Sequence, residues 1–210
     1  MNIVIFGAGG RAGRQAVAEA RRRGHRVTAV VRDPGAHAGL AGLTGVRVVA
    51  GDVTDAADVE RVAVGHDAAI SAAVDLTARP GEFFTAASRA LTAGLAEAGV
   101  GRLVVVGLAS ILPGASGVPL MDEPGYPNEY RSFYLGHAAG LDELRTGDLD
   151  WAYVAPAGDF DHEGGPVGGY RFAEHGDPGS RITYADFAPA LVDEAEAPSR
   201  HRETVTVRKA

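Results

Sequence analysis

The stretch Asn2-Ile3-Val4-Ile5-Phe6-Gly7-Ala8-Gly9-Gly10-Arg11-Ala12-Gly13 joins two signals and leads into a third. Ile3 to Phe6 is a short apolar run of β-branched and aromatic residues, the composition of a strand buried on both faces. Gly7, Gly9, Gly10 and Gly13 then permit a tight turn. Ala16, Val17 and Ala20 recur at helical spacing, and Arg21-Arg22-Arg23-Gly24 marks a helix end. Strand, glycine turn and helix in that order make a phosphate cradle. The backbone can approach a pyrophosphate closely, and the helix N-terminus offers unpaired N–H groups and a partial positive charge. A glycine turn alone is only a tight connection; between these two elements it predicts dinucleotide binding.

Outward from this unit the same alternation continues. Strands are predicted at Arg26 to Val31, Val46 to Ala50, Asp67 to Ser71, Leu103 to Val106 and Trp151 to Val154, the last ending at Pro156. A weak helix from Pro34 to about Leu43 is predicted to have Asp33 as its N-cap, and Thr54 or Asp55 caps a helix carrying Val59 and Val62. Pro80 to Gly99 is a long helix with Phe84, Ala87, Leu91 and Leu95 on one stripe. Strands alternating with helices predict an α/β fold, a Rossmann-like doubly wound parallel sheet. Its strand-to-helix loops share one edge, so Gly7 to Gly13, Arg32, Asp52, Ala72 and Ser110 should line one crevice. The second half is less regular. Ile111 to Tyr130 and Gly158 to Gly169 read as long loops forming a substrate wall and a lid. A helix to about Arg145, a short strand Arg181 to Thr183, a helix Asp186 to Glu196 and a strand Glu203 to Val207 complete the chain. Residues 1–210 read as a single domain, with nucleotide binding mainly in 1–110 and a small substrate-binding part in 111–210.

The 210 residues are 46% hydrophobic, enough for a core, and the net charge of −7 gives no nucleic-acid footprint. No apolar run is long enough to span a membrane, and the N-terminus enters a strand with no signal-peptide pattern. Cysteine is absent, which removes disulfides and thiol chemistry. These features predict a cytoplasmic protein, monomer or homodimer, acting on a small molecule. Asp159, Asp161, His162 and Glu163 cluster in one loop, where solvated charges are expected rather than a metal site.

Arg32 stands where NAD-binding sheets commonly carry an acidic residue for the ribose 2′-OH, and an arginine there suits a 2′-phosphate. The other reading is a solvated surface charge. Arg11, inside the glycine turn, is placed to close on the same phosphate. Asp52 can accept from an adenine amino group while the Val53 backbone meets the ring, or it is an ordinary turn residue. Ala72 and Ala73 after the fourth strand and Pro156 after the sixth complete the cofactor-binding set.

Gly-Ala-Gly-Gly-Arg-Ala-Gly (7–13), Val-Val-Arg-Asp-Pro (30–34) and Gly-Asp-Val-Thr-Asp (51–55) together resemble the atypical short-chain dehydrogenases with an NAD(P)H-binding, NmrA-like domain. Within these the chain resembles the candidate NADH-flavin reductases and beta-type biliverdin reductase (flavin reductase). Residues 144–157 resemble the family's helix into its sixth strand, and 179–188 its C-terminal segment. The resemblance implies NADPH or NADH as cofactor. It sets Ser110 at the serine after the fifth strand and His137 at a histidine near the substrate cleft. Many short-chain dehydrogenases use Tyr-x-x-x-Lys, but Tyr130 is followed four residues on by Tyr134, and Tyr134 by Ala138; the only lysine is Lys209. Ser110, Tyr134 and His137 are therefore the candidate catalytic residues. His137 can also be a helical residue bonded to a loop carbonyl, and Ser110 a turn former.

Three functions fit these residues. The first is an NADPH-dependent reductase of a flat acceptor such as a flavin or quinone. The second is an epimerase, dehydratase or cyclase with a retained nicotinamide cofactor. The third is a non-catalytic NADP(H) sensor that binds a protein partner, for which an exposed apolar patch over Ile111 to Leu120 is expected, whereas a deep pocket meeting Ser110, Tyr134 and His137 is expected of the first two.

Overall fold

The apolar run forms strand β1 (Asn2–Phe6) in the computed structural model, which describes residues 1–210. Its side chains alternate between two faces, as a strand requires. Ile3 and Ile5 enter one core, Val4 and Phe6 the other, and all four are at most 1% exposed. Burying each contributes roughly 1.5–3 kcal/mol, so this strand has to lie inside the sheet. It pairs in parallel with β2 (Arg26–Val31) on one side and β4 (Ala68–Ser71) on the other. Beyond β2 lies β3 (Val46–Ala50); beyond β4 lie β5 (Arg102–Val106) and β6 (Asp150–Pro156). Strand β10 (Glu203–Lys209) adds in parallel to β6, and β8 (Tyr170–Ala173) closes that edge antiparallel. The order β3-β2-β1-β4-β5-β6-β10-β8 is the doubly wound arrangement expected from the alternation.

Helices cover both faces. Helices α1 (Arg11–Arg22) and α6 (Tyr184–Glu196) supply Ala16, Val17, Phe187 and Leu191 to the core of Ile3 and Ile5. Helices α3 (Ala56–Ala63), α4 (Pro80–Glu97) and α5 (Arg131–Thr146) supply Val59, Leu91 and Leu141 to the core of Val4 and Phe6. Asp55 caps α3, accepting from the N–H groups of Ala57 and Asp58. Asp33 caps as expected, accepting from the Gly35 N–H, but the segment behind it is a 3-10 turn, Pro34–His37, followed by only a short α2 (Ala38–Ala41).

The second half belongs to the same sheet, since α5, β6, α6 and β10 extend its layers. A buried ion pair fastens it. Arg102, 6% exposed at the start of β5, donates to Glu194 Oε2 at 2.9 Å and to the Glu194 carbonyl at 2.9 Å. Glu194, 2% exposed on α6, also accepts from the N–H groups of Ser199 and Arg200 and from Ser199 Oγ. One carboxylate thus joins a strand, a helix and the turn into the last strand.

Two expectations are corrected. The Gly158–Gly169 stretch is not wholly loop: β7 (Asp159–Asp161) lies in it and pairs in parallel with β9 (Arg181–Thr183). Nor is its end a free lid. Asp186, 2% exposed, accepts from the backbone N–H groups of Val167, Gly168 and Gly169 at 2.9–3.1 Å and from Thr183 Oγ1 at 2.8 Å. Gly168 and Gly169 have φ of 111° and 122°, the left-handed region that lets consecutive N–H groups converge on one anion. Burial raises the Asp186 pKa, but these hydrogen bonds outweigh it and hold it below the usual carboxylate range. A depressed folded-state pKa contributes stability that is present above the unfolded value of about 4 and is lost as pH falls through the folded value. Asp186→Asn is therefore expected to lose about 2–3 kcal/mol at neutral pH. The gap from wild type should close on acidification below pH ~4. Thermal melts across that range test it; a gap independent of pH would assign the loss to packing.

Candidate functional site

The glycine turn is built by close backbone approach. Gly7 has φ of 70°, and a Cβ there would lie 2.6 Å from the backbone of Ala72 and Ala73 at the end of β4. A Cβ on Gly13 would fall on the Gly7 carbonyl oxygen. The Gly10 N–H closes the turn on that carbonyl at 3.0 Å, and the Arg14 N–H starts α1 on the Gly10 carbonyl at 2.9 Å. Gly10 is the N-cap, with no side-chain cap and no acidic residue in the first turn. The N–H groups that begin α1 are left for a ligand, which suits an anion.

In front of this turn opens a cleft of about 550 Å³. Gly7, Gly9, Gly10, Arg32, Asp52, Val53, Ala72 and Ala73 line it, as expected from the shared sheet edge; Ser110, expected in the same crevice, does not, because the edge continues past β4 before β5 delivers it. Its size, apolar walls and uncapped helix end fit the adenosine and pyrophosphate part of a dinucleotide. Asp52 Oδ1 accepts from the Thr54 N–H at 2.8 Å and Thr54 Oγ1 at 2.7 Å, so it makes the turn and faces the cleft together. The lining residues not singled out from the sequence include His37 and Asp75. His37 lays its imidazole over Gly9, where a Cβ would meet the ring, and Asp75 pairs with Arg32 at 2.5 Å. Neither had a local signal: His37 falls inside the predicted weak helix, and Asp75 and Arg32 are separated by two crossovers.

Arg11 is corrected in position. It does not line the cleft with Arg32; Nη1 lies 2.9 Å from His162 Nδ1. The first helical residue points along the other side of the turn, towards the segment after β7. Asp161, meanwhile, accepts from the N–H groups of Glu163 and Gly164, so its carboxylate closes the turn of its own loop. Pro156 is buried at the end of β6, on the same edge but beyond β5.

At that end of the edge the chain gathers hydroxyl groups. Ser110, 3% exposed in the 3-10 turn after β5, lies 2.8 Å from the Tyr126 hydroxyl. Tyr134, 8% exposed on α5, packs its ring edge-on to Tyr126 with centroids 5.9 Å apart. Burial pushes the Tyr134 pKa up, and the neighbouring Ser110 hydroxyl partly offsets it. The structure thus brings Ser110 and Tyr134 together and adds Tyr126, hidden from sequence reading within the irregular loop.

His137 is corrected in role. It sits one turn along α5 from Tyr134, against the rings of Phe84, Phe133 and Tyr153. Burial pushes its pKa down to about 3, so it is neutral at physiological pH and holds no proton to donate as an acid. The Leu108 N–H donates to the Tyr153 hydroxyl at 3.1 Å, and that hydroxyl is hydrogen-bonded to His137 Nδ1 at 2.9 Å. His137 therefore supports the strand-end loop that leads to Ser110.

A doubly wound sheet with a glycine turn, an uncapped helix and an adenosine-sized cleft defines a Rossmann-type nucleotide-binding protein. The family model described as NAD(P)H-binding matches residues 7–198, and the chain belongs to that family. It is 35% identical over 221 residues to the uncharacterized protein YwnB of Bacillus subtilis, covering 99% of this chain and 98% of that one. Among solved structures, a candidate exported protein from Burkholderia pseudomallei has a TM-score of 0.83 at 34% identity over 99% of both chains. SP1627 of Streptococcus pneumoniae, a candidate NADH-flavin reductase, has a TM-score of 0.80 at 30% identity over 100% of both chains. The resemblance to NmrA-like atypical short-chain dehydrogenases holds.

Proposed function

We propose that this NAD(P)H-dependent reductase takes NADPH as its hydride source and a flat, electron-poor acceptor such as a flavin or quinone as its substrate. The observation that carries the reading is the acceptor end. It offers the hydroxyls of Ser110, Tyr126 and Tyr134, a neutral His137 behind them, and no lysine. Reduction of an isolated ketone builds an alkoxide, which needs a poised acid or cation. A flavin or quinone spreads the incoming charge over its rings, so positioning against the nicotinamide carries more of the catalysis. When bound, the nicotinamide supplies the hydride. The chain's residues do the rest: the glycine turn and the α1 N-terminus hold the pyrophosphate, Val53 and Asp52 face the adenine, and Arg32 meets the 2′-phosphate. Ser110, Tyr126 and Tyr134 orient the acceptor.

The loop over Ile111 to Leu120 argues against the sensor reading. It turns Leu112 and Leu120 inward and leaves Val118 as its one exposed large apolar residue. The flavin-reductase designation of SP1627 supports a redox reading. On this reading the protein works in the cytoplasm, where nicotinamide cofactors are regenerated. The test is NADPH absorbance against FMN, riboflavin, quinones and small aliphatic ketones. Steady oxidation with the flat acceptors and little with ketones is expected. Turnover of ketones with flavins and quinones inert would overturn the proposal.

A further inference from the structure

Two charged residues that line the cleft, Asp75 and Glu82, are given no role by NADPH binding; Glu82 pairs with Arg79 at 3.0 Å, and Asp75 pairs across the cleft. Asp75 follows β4, whereas Arg32 follows β2, and β1 with its glycine turn runs between those strands. The pair therefore bridges one wall of the cleft to the other, Arg32 Nη1 to Asp75 Oδ2 at 2.5 Å, and both residues line it. The partners are held unequally. The Arg32 side chain is 70% exposed and Asp75 only 15%. Asp75 Oδ1 accepts from the Thr77 N–H at 2.8 Å and Thr77 Oγ1 at 2.7 Å, which fixes the carboxylate and presents Oδ2 to the guanidinium. An anion arriving at Arg32 meets a cation already paired, beside an anchored negative charge.

We infer that Asp75 sets the preference between NADPH and NADH by competing with the ribose 2′-phosphate for Arg32. The inference rests on the proposed 2′-phosphate role of Arg32. A ribose 2′-hydroxyl is uncharged and leaves the ion pair intact. A 2′-phosphate has to take the guanidinium from Asp75 and sit near its carboxylate, so part of the arginine's attraction is already spent. Discrimination is then narrower than an unpaired arginine would give, and the protein can use both nucleotides while favouring NADPH.

Asp75→Asn keeps an oxygen for Thr77 and changes the group facing Arg32. Calorimetric titration with NADPH and with NADH is run on wild type, Asp75→Asn, Arg32→Ala and the double variant. Asp75→Asn is expected to tighten NADPH roughly three- to tenfold and to leave NADH within about twofold. Arg32→Ala is expected to weaken NADPH roughly ten- to hundredfold and NADH little. In the Arg32→Ala background the gain from Asp75→Asn should fall below about twofold. Equal effects of Arg32→Ala on both nucleotides would remove the 2′-phosphate role itself, and the inference with it. With that role intact, an unchanged or lowered NADPH preference in Asp75→Asn overturns the competition alone. Weakened NADH in Asp75→Asn would make Asp75 a ribose ligand and also overturns it. So does a gain undiminished without Arg32, since plain repulsion needs no pair.

Discussion

Gly10→Val is expected to lower affinity for NADPH and NADH alike by about a hundredfold or more, which is roughly 2.7 kcal/mol, while the protein stays folded. The two halves of the expectation have separate causes. Gly10 is the exposed N-cap of α1, its φ is −75°, and a Cβ there meets only the Gly7 carbonyl oxygen, at 3.4 Å. A valine fits that backbone and costs about 1 kcal/mol as a poor cap. Its methyl groups, however, stand over the free N–H groups where the pyrophosphate has to come close. Because both nucleotides carry the pyrophosphate, both are lost together, unlike the selective loss from Arg32→Ala. Gly13→Val is the contrast: its Cβ falls on the Gly7 carbonyl, so that variant should lose the turn and fold poorly. Circular dichroism and calorimetry on the two variants decide. A folded Gly10→Val that binds NADPH normally would move the cradle elsewhere.

Glu194→Ala is expected to destabilise the protein by about 3–5 kcal/mol, the cost of breaking a buried ion pair from one side. It leaves the Arg102 guanidinium buried with Asp150 and backbone carbonyls as partners, and strips an acceptor from Ser199 and Arg200. The melting temperature should fall by about 10 °C for a chain of this size. Replacing both partners, as in Arg102→Met with Glu194→Leu, should recover part of the loss by removing the stranded charge. Recovery should stay incomplete, because the Ser199 and Arg200 N–H groups still lack their acceptor. A single variant within about 1 kcal/mol of wild type would show that the pair adds little to what packing already secures.

The nucleotide half of the site was legible because its geometry is local. Gly7, Gly10 and Gly13 lie within one strand-to-helix turn, and Arg32, Asp52, Ala72 and Ala73 each follow a strand that parallel winding brings to the same edge. The acceptor half was legible only in part. Ser110 and Tyr134 were named from the family resemblance, one in the loop after the fifth strand and one through the Tyr-x-x-x-Lys comparison, and the fold sets both beside Tyr126. Tyr126 lies in a stretch with no periodicity, and Arg11 and His137 have spacings equally compatible with the two sides of a turn or helix. Strand β8 escaped notice because an edge strand of four residues carries little alternation.

The order of residues by itself determined the α/β class, the sheet's parallel winding, the phosphate cradle and the sheet edge on which the site lies. These follow from strand and helix periods, glycine and capping residues, all acting over a few positions. Only the tertiary structure decided which side chains face one another. It paired Arg32 with Asp75, aimed Arg11 at His162, buried His137 behind Tyr153, and closed the Val167–Gly169 nest on Asp186. Each of those contacts joins segments whose distance in sequence exceeds any local period. Their geometry is set by how the two cores pack against the sheet.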